Sequence, residues 1–231
     1  MEIADIQLKT AHLNDLKTFY TDTFDCPITN ASTEEFTVNI GATDVTFAEV
    51  DDRTDPFYHF AINIPQNQFD DAVTWLSDRV ELLSDADPGD REFFSEDWNS
   101  HQVYCLDPAD NILELIARHN LSNDSERPFG SETFRRVSEI GLPVPETRRA
   151  VEAIQDNIGV SLRDSHDSVL SDDEYITPVG DDHGMFIVVK EGREWFPTRN
   201  QAAEVYPVSI RITDTSNEYV FPNLPYRISP S

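Results

Sequence analysis

Asp107-Pro108-Ala109-Asp110-Asn111-Ile112-Leu113-Glu114-Leu115 is a tight turn that launches an apolar strand carrying one carboxylate. Pro108 fixes φ, and Asp107, Asp110 and Asn111 form local side-chain bonds that favour a turn. Residues 112–116 then read as a strand, apolar at every position except Glu114. A buried, unpaired charge costs several kcal/mol, so Glu114 calls for a metal ion, a cationic partner or a water-filled cavity.

Upstream of this stretch one pattern occurs twice. Residues 3–10 alternate, with Ile3, Ile6 and Leu8 apolar, and Leu13, Leu16, Phe19, Tyr20 and Phe24 follow at helical spacing. This predicts a strand and then a helix over about 14–23. Two strands over 35–40 and 44–50, joined by a turn at Gly41, complete the unit. The order begins again with a strand over 57–64 and a helix on Phe69, Ala72, Val73, Leu76 and Val80, which Asn67 is placed to cap. Strands at 91–94 and 101–106 lead into the Asp-Pro turn and the Glu114 strand. Residues 1–118 are thus two tandem βαβββ modules.

Residues 119–134 are polar, with a Pro and a Gly, and read as a linker. In 135–231 the pattern returns: Val137, Ile140 and Leu142 echo Ile3, Ile6 and Leu8. A helix from Pro145 to Asn157 has Gly159 just past its end, and strands at 175–179 and 185–190 follow. A fourth start at 205–212 is cut short. The repeat runs about three and a half times, and its recognition precedes any assignment of a site.

Composition narrows the partners. There are 44 acidic against 17 basic residues, a formal charge of −27, and lysine only at Lys9, Lys17 and Lys190. Such a field repels phosphate backbones and anionic membranes, so neither nucleic acid nor membrane is expected as a partner. An acidic, lysine-poor surface suits high salt, where the Debye length falls to about 3 Å at 1 M, and is read as halophile-like. The N-terminus lacks a basic region followed by an apolar one, and no apolar run approaches a bilayer span, so a cytoplasmic location is expected. Cys26 and Cys105 are expected as buried reduced thiols, with a disulfide as the alternative. Neither a glycine-rich phosphate cradle nor a Gly-x-Ser-x-Gly turn is present.

The chain resembles the vicinal oxygen chelate superfamily of glyoxalases, bleomycin-resistance proteins and extradiol dioxygenases, and most of all bacterial proteins labelled ring-cleaving dioxygenases. The resemblance rests on Ile3-Ala4-Asp5-Ile6-Gln7-Leu8 followed by Leu16 and Phe19-Tyr20, on Tyr58-His59-Phe60-Ala61-Ile62-Asn63-Ile64, and on the Asp-Pro turn with Glu114. Ala109 and Asp110 depart from the family's Asp-Pro-Asp-Gly-Asn. It implies an α+β fold in which tandem βαβββ modules pair into curved mixed sheets, or cups, with helices outside, and in which the modules of 1–118 pair around a metal.

Carried over by position, the implied ligands are Asp5, His59 and Glu114, with Thr46 at the fourth position used in glyoxalase-type sites. Strand parity agrees, since each of the three lies opposite the residues that cover the helices. Glu49 shares the face of Val45 and Phe47 and is not expected to be a ligand. Asp5 stands where the family has His. Two carboxylates and one imidazole cancel a divalent charge and make a weaker Lewis acid than two imidazoles and one carboxylate. Glu139 occupies the place of Asp5 in the third module, and Pro207 that of His59 in the fourth.

His101 and Tyr104 are candidates to donate a proton or orient substrate, and Trp98 reads as a core or rim aromatic. The stretch Gly192-Arg193-Glu194-Trp195-Phe196-Pro197-Thr198 reads as packing between halves, with a pocket wall as the alternative. The resemblance implies a divalent metal, Fe(II) or Mn(II) before Zn, Ni or Mg. It further implies a small substrate with two adjacent oxygens, extradiol ring cleavage as the reaction, and a homodimer as one way of pairing cups. A glyoxalase-like isomerase or lyase and a metal-free binding or resistance protein are the alternatives.

Overall fold

The computed structural model describes residues 1–50, 54–85, 89–163, 176–198 and 200–231. Strand β1, Ile3–Thr10, buries Ile6 and Leu8 completely and exposes Gln7 between them, the period-two burial of a strand with one dry face. Helix α1, Leu13–Thr18, widens at Phe19–Thr23, where the Phe24 N–H bonds the Phe19 carbonyl at 3.0 Å. That i→i+5 turn keeps Phe19, Tyr20 and Phe24 on the core side. Strand β2, Ile28–Ala31, is an edge strand whose last three residues are exposed, so no hydrophobic pattern announces it. Strands β3, Glu35–Ile40, and β4, Thr43–Glu49, meet at Gly41, where φ is +60° and a Cβ would lie 2.3 Å from the Arg135 carbonyl oxygen.

The second module comprises β5, His59–Asn63, α2, Phe69–Ser77, β6, Glu92–Ser95, β7, Ser100–Leu106, and β8, Ile112–Arg118. Asn67 does not cap α2. It bonds the backbone of Ser125 in both directions, at 2.9 and 3.0 Å, and Gln68 bonds the Arg127 carbonyl at 2.6 Å. The polar stretch 119–134 is therefore fastened along the α2 entry. The third module comprises β9, Arg136–Val144, α3, Thr147–Ile158, β10, Thr177–Asp181, and β11, Gly184–Lys190. Gly159 ends α3 at φ +81°, the left-handed cap that glycine allows. Tyr175, the first residue of the strand expected before β11, lies outside the described residues. The short fourth module supplies β12, Val208–Ile212, β13, Tyr219–Val220, and β14, Tyr226–Pro230.

These strands form two seven-stranded mixed sheets, ordered β13-β14-β12-β1-β4-β3-β2 and β10-β11-β9-β5-β8-β7-β6. The expected pairing of the first two modules is corrected here. Within the sheets β1 joins β12 and β5 joins β9, so the first module pairs with the fourth and the second with the third. Each sheet is curled with its helices on one face, which is the α+β cup architecture that the resemblance implies.

One core serves both sheets. Phe24 beside α1 meets Trp75 of α2 at 5.3 Å between ring centroids, and Tyr20 donates to the buried Asp107 carboxylate at 3.0 Å. Asp107 also receives the Ala109 and Asn111 amides at 2.9 and 3.1 Å and the Asn111 side chain at 2.8 Å. Asn111 in turn accepts the Tyr58 amide at 2.8 Å, which locks the start of β5 to the start of β8. The Asp-Pro turn thus fixes the register of the two strands that carry His59 and Glu114. Cys26 and Cys105 are both buried free thiols. Among the described residues no helix is long and apolar enough to cross a membrane.

Candidate metal centre

In the second sheet β5 runs parallel to β8 and antiparallel to β9, with Ala61 opposite both Glu114 and Glu139. Side chains on one face of neighbouring strands converge, and the curl of the sheet tightens this face. His59, Glu114 and Glu139 meet there, all three buried, and one ligand atom of each lies within 4.8 Å of the others.

The His59 Nδ1 lies 3.1 Å from the Ile112 carbonyl. A carbonyl only accepts, so Nδ1 carries the proton and Nε2 presents its lone pair. That lone pair points toward the Glu114 carboxylate, 3.6 Å away. Burial pulls the His59 pKa down to about 4, and the Arg193 charge acts in the same direction. Glu114 is held well above the usual carboxylate range, first by burial and then by the charge of Glu139. Burial also raises Glu139, against the opposing charge of Arg118. Two carboxylates and a neutral imidazole nitrogen therefore share one dry pocket, a donor set that fits a divalent cation.

Arg118, the last residue of β8, is fully buried and is the counter-charge of Glu139, to which it donates. Its Nε donates to Asn63 at 3.2 Å and its NH1 to Asp182 at 3.5 Å. Asp182 also pairs with Arg163 at 2.9 Å, and Trp98 lies beneath both guanidinium groups at 5.4 and 4.6 Å. This network fixes Glu139 from behind.

In front of the three residues opens a cleft of about 400 Å³, within the range of small-molecule sites. Its walls include Phe93, Trp98, Tyr104, Trp195 and Phe196. Trp195 packs on His59 with ring centroids 5.0 Å apart. Gly141 makes this approach possible, since a Cβ there would lie 2.8 Å from the Trp195 ring. Tyr104 stands opposite Glu114 across the β7/β8 ladder, with its hydroxyl within hydrogen-bonding reach of the carboxylate. Of the two readings of 192–198, Arg193, Trp195 and Phe196 take the pocket wall.

Of the residues singled out in the sequence, His59, Glu114 and Tyr104 come together. Asp5 does not. It lies on β1 in the other sheet, beside Arg211 at 3.5 Å, because β1 pairs with β12 instead of β9. Glu139, which the repeat aligns with Asp5, stands in its place. Thr46 bonds Thr37 at 2.8 Å in that same other sheet. His101 is also corrected: it points to the opposite face of β7, against Phe69 at 5.0 Å and with its Nδ1 2.7 Å from His119. Its neighbour Gln102 lines the cleft instead. Arg118 was missed, although it shares the strand parity of Glu114 and is the next charged residue on that face.

No family model matches the sequence, and no curated protein matches it. Solved structures do. A provisionally named dioxygenase from Bacillus subtilis superposes with a TM-score of 0.61 at 12% identity, covering 94% of this chain and 72% of that one. A variant of glyoxalase I from Zea mays superposes with a TM-score of 0.54 at 14% identity, covering 90% of this chain and 74% of that one. At these identities the likeness is one of fold: this chain shares the fold of these two proteins.

Proposed function

We propose that the chain is a metal-dependent enzyme that binds a small substrate through two adjacent oxygens, with extradiol ring cleavage as the closest reaction type. His59 Nε2, Glu114 and Glu139 would hold the cation. The observation that carries this reading is the His59 Nε2 lone pair and two buried carboxylates, Glu114 and Glu139, whose ligand atoms lie within 4.8 Å of one another. When bound, a divalent ion supplies charge to polarise and orient substrate oxygens. The chain supplies the rest: Tyr104 offers a phenol at the Glu114 carboxylate, and the aromatic walls exclude water and hold a planar molecule.

The number of ligands favours ring cleavage over isomerisation. Across the β9/β11 ladder, Ile187 faces Gly141, two residues past Glu139, just as Glu114 faces Ala61, two residues past His59. Ile187 thus takes the position related to Glu114 by the module repeat, and it is apolar. A three-ligand centre leaves positions open for two substrate oxygens and a second reactant, whereas a fourth ligand would fill one. A glyoxalase-like isomerase or lyase is the alternative within the same chemistry.

A second reading, a metal-free binding protein, draws on the Arg118–Glu139 pair, which already neutralises one carboxylate. Metal analysis of protein purified without chelator separates the two. Stoichiometric metal in the wild type, lost in His59→Ala and Glu114→Gln, supports the enzyme. Wild-type protein that holds no metal after Fe(II) or Mn(II) is supplied defeats it. Oxygen uptake with catechols then divides ring cleavage from isomerisation.

A further inference from the structure

Ser100, Gln102 and Tyr104 alternate along β7 and share the face that looks onto the cleft. Tyr104 stands opposite Glu114, while Gln102 stands opposite Ile116 on one side and Phe93 on the other. A glutamine flanked by two apolar residues on a buried face needs its amide satisfied, since an unbonded buried amide is costly. An apolar side chain would fill the same place without that cost.

Half of that amide is accounted for within the protein. Gln102 is 6% exposed, and its Nε2 donates to the Ser100 hydroxyl at 2.6 Å. Ser100 is itself fully buried, so this bond orients the amide. Among the described residues no donor reaches Oε1, yet the atom is not sealed in the core. The side chain lines the cleft, and its carbonyl oxygen is left to accept a bond from a molecule that enters. Gln102 lies diagonally across the β7/β8 ladder from Glu114, and such neighbours are about 7–8 Å apart. A single ring with substituents at both ends reaches from one to the other.

We infer that Gln102 is a specificity residue, whose side-chain carbonyl accepts a hydrogen bond from a hydroxyl or amino group at the far end of the substrate. The substrate is then a planar molecule with two adjacent oxygens at one end and a third, hydrogen-bond-donating substituent at the other. Phe196 packs edge-on to Phe93 and Tyr104 with centroids 4.8 and 5.6 Å away, so these rings form a wall suited to a flat molecule. A site built to bond a substrate hydroxyl discriminates strongly against the analogue that lacks it, because its own buried group is then left unpaired. The inference rests on the proposed metal centre only for which end of the substrate faces His59.

Calorimetric titration in the absence of oxygen tests it, so that no turnover intervenes. Protein as purified, and protein supplied with Mn(II), is titrated with catechols that carry a methyl, a methoxy or a hydroxyl group para to one of the ring oxygens. The wild type is expected to bind the hydroxyl compound about tenfold more tightly than the methyl one, with the methoxy compound, which only accepts, no better than the methyl. Gln102→Met, which keeps the length of the side chain and loses the amide, should bind the hydroxyl and methyl compounds equally, with affinity for the methyl compound within about twofold of wild type. Should that variant fail to fold, the wild-type comparison stands on its own. Equal affinity of the wild type for the hydroxyl and methyl compounds, a gain from methoxy, a preference that survives in Gln102→Met, or no binding of any probe overturns the inference. Metal content, measured on the same samples, separates the two claims. A Gln102-dependent preference in protein that takes up no metal keeps the inference and discards the metal centre, and stoichiometric metal with no preference for the hydroxyl compound does the reverse.

Discussion

His59 turns its Nε2 toward the Glu114 carboxylate at 3.6 Å and gives its Nδ1 proton to the Ile112 carbonyl at 3.1 Å. One strand, β8, thus supplies both the group that orients the imidazole and the carboxylate it faces. The tautomer is fixed by a main-chain bond that metal binding would not disturb.

The pH dependence of stability follows from this arrangement in chelator-treated protein. The His59 pKa falls from 6.5 to about 4 on folding, chiefly through burial. Between those values the unfolded chain binds more protons than the folded one, so stability from this group is complete above pH 6.5 and is lost as pH falls toward 4. The shift corresponds to about 3 kcal/mol. Thermal melts of wild type and His59→Gln are expected to diverge in slope across this window, with the variant flatter. Parallel curves would show that His59 is not buried as a neutral ring.

Much of this centre is legible in the sequence. Alternation in β5 and β8 puts His59 and Glu114 on the face away from the helices, and the Asp-Pro turn marks where β8 begins. His101 was open to the same test: it is three residues from Tyr104, and an odd spacing in a regular strand places the two on opposite faces. What local pattern does not encode is which modules join. β1 and β5 open their modules in the same way, and their partners, β12 and β9, follow from how four units close around one core. Asp5 lies in the other sheet for that reason, and Glu139, already aligned with it by the repeat, is the second carboxylate beside His59.

Arg118 provides a stability test of the network behind Glu139. Arg118→Met leaves Glu139 buried without its counter-charge, and breaking a buried pair in this way costs about 3–5 kcal/mol. Arg118→Lys is expected to recover little, because an ammonium cannot reproduce the fork shared among Asn63, Glu139 and Asp182. Adding Glu139→Gln to Arg118→Met should return much of the loss. Denaturant unfolding of the four proteins measures the coupling, and strictly additive effects would refute it.

Gly141 controls the cleft from below. Gly141→Ala places a methyl group 2.8 Å from the Trp195 ring, and the ring, backed by the paired segment 201–203, must shift relative to His59. Overpacking of this kind costs about 1–3 kcal/mol. A change in Trp emission with weaker ligand binding is expected, while metal content stays near wild type because no donor is touched. Unchanged emission would mean that Trp195 does not rest on Gly141.

The pairing of modules is tested most directly by comparing Asp5 with Glu139. Both stand at the same place in the repeat, but Asp5 is part of a partly exposed pair with Arg211 at 3.5 Å, with side-chain exposures of 23% and 54%, and such pairs contribute about 0–1 kcal/mol. Asp5→Asn should therefore melt close to wild type and hold the same metal. Glu139→Gln removes a donor from the proposed centre and leaves the buried Arg118 short of a counter-charge, so it should lose stability and weaken metal binding together. If Asp5→Asn empties the site while Glu139→Gln does not, the centre lies in the β1 sheet and the second and third modules do not build it.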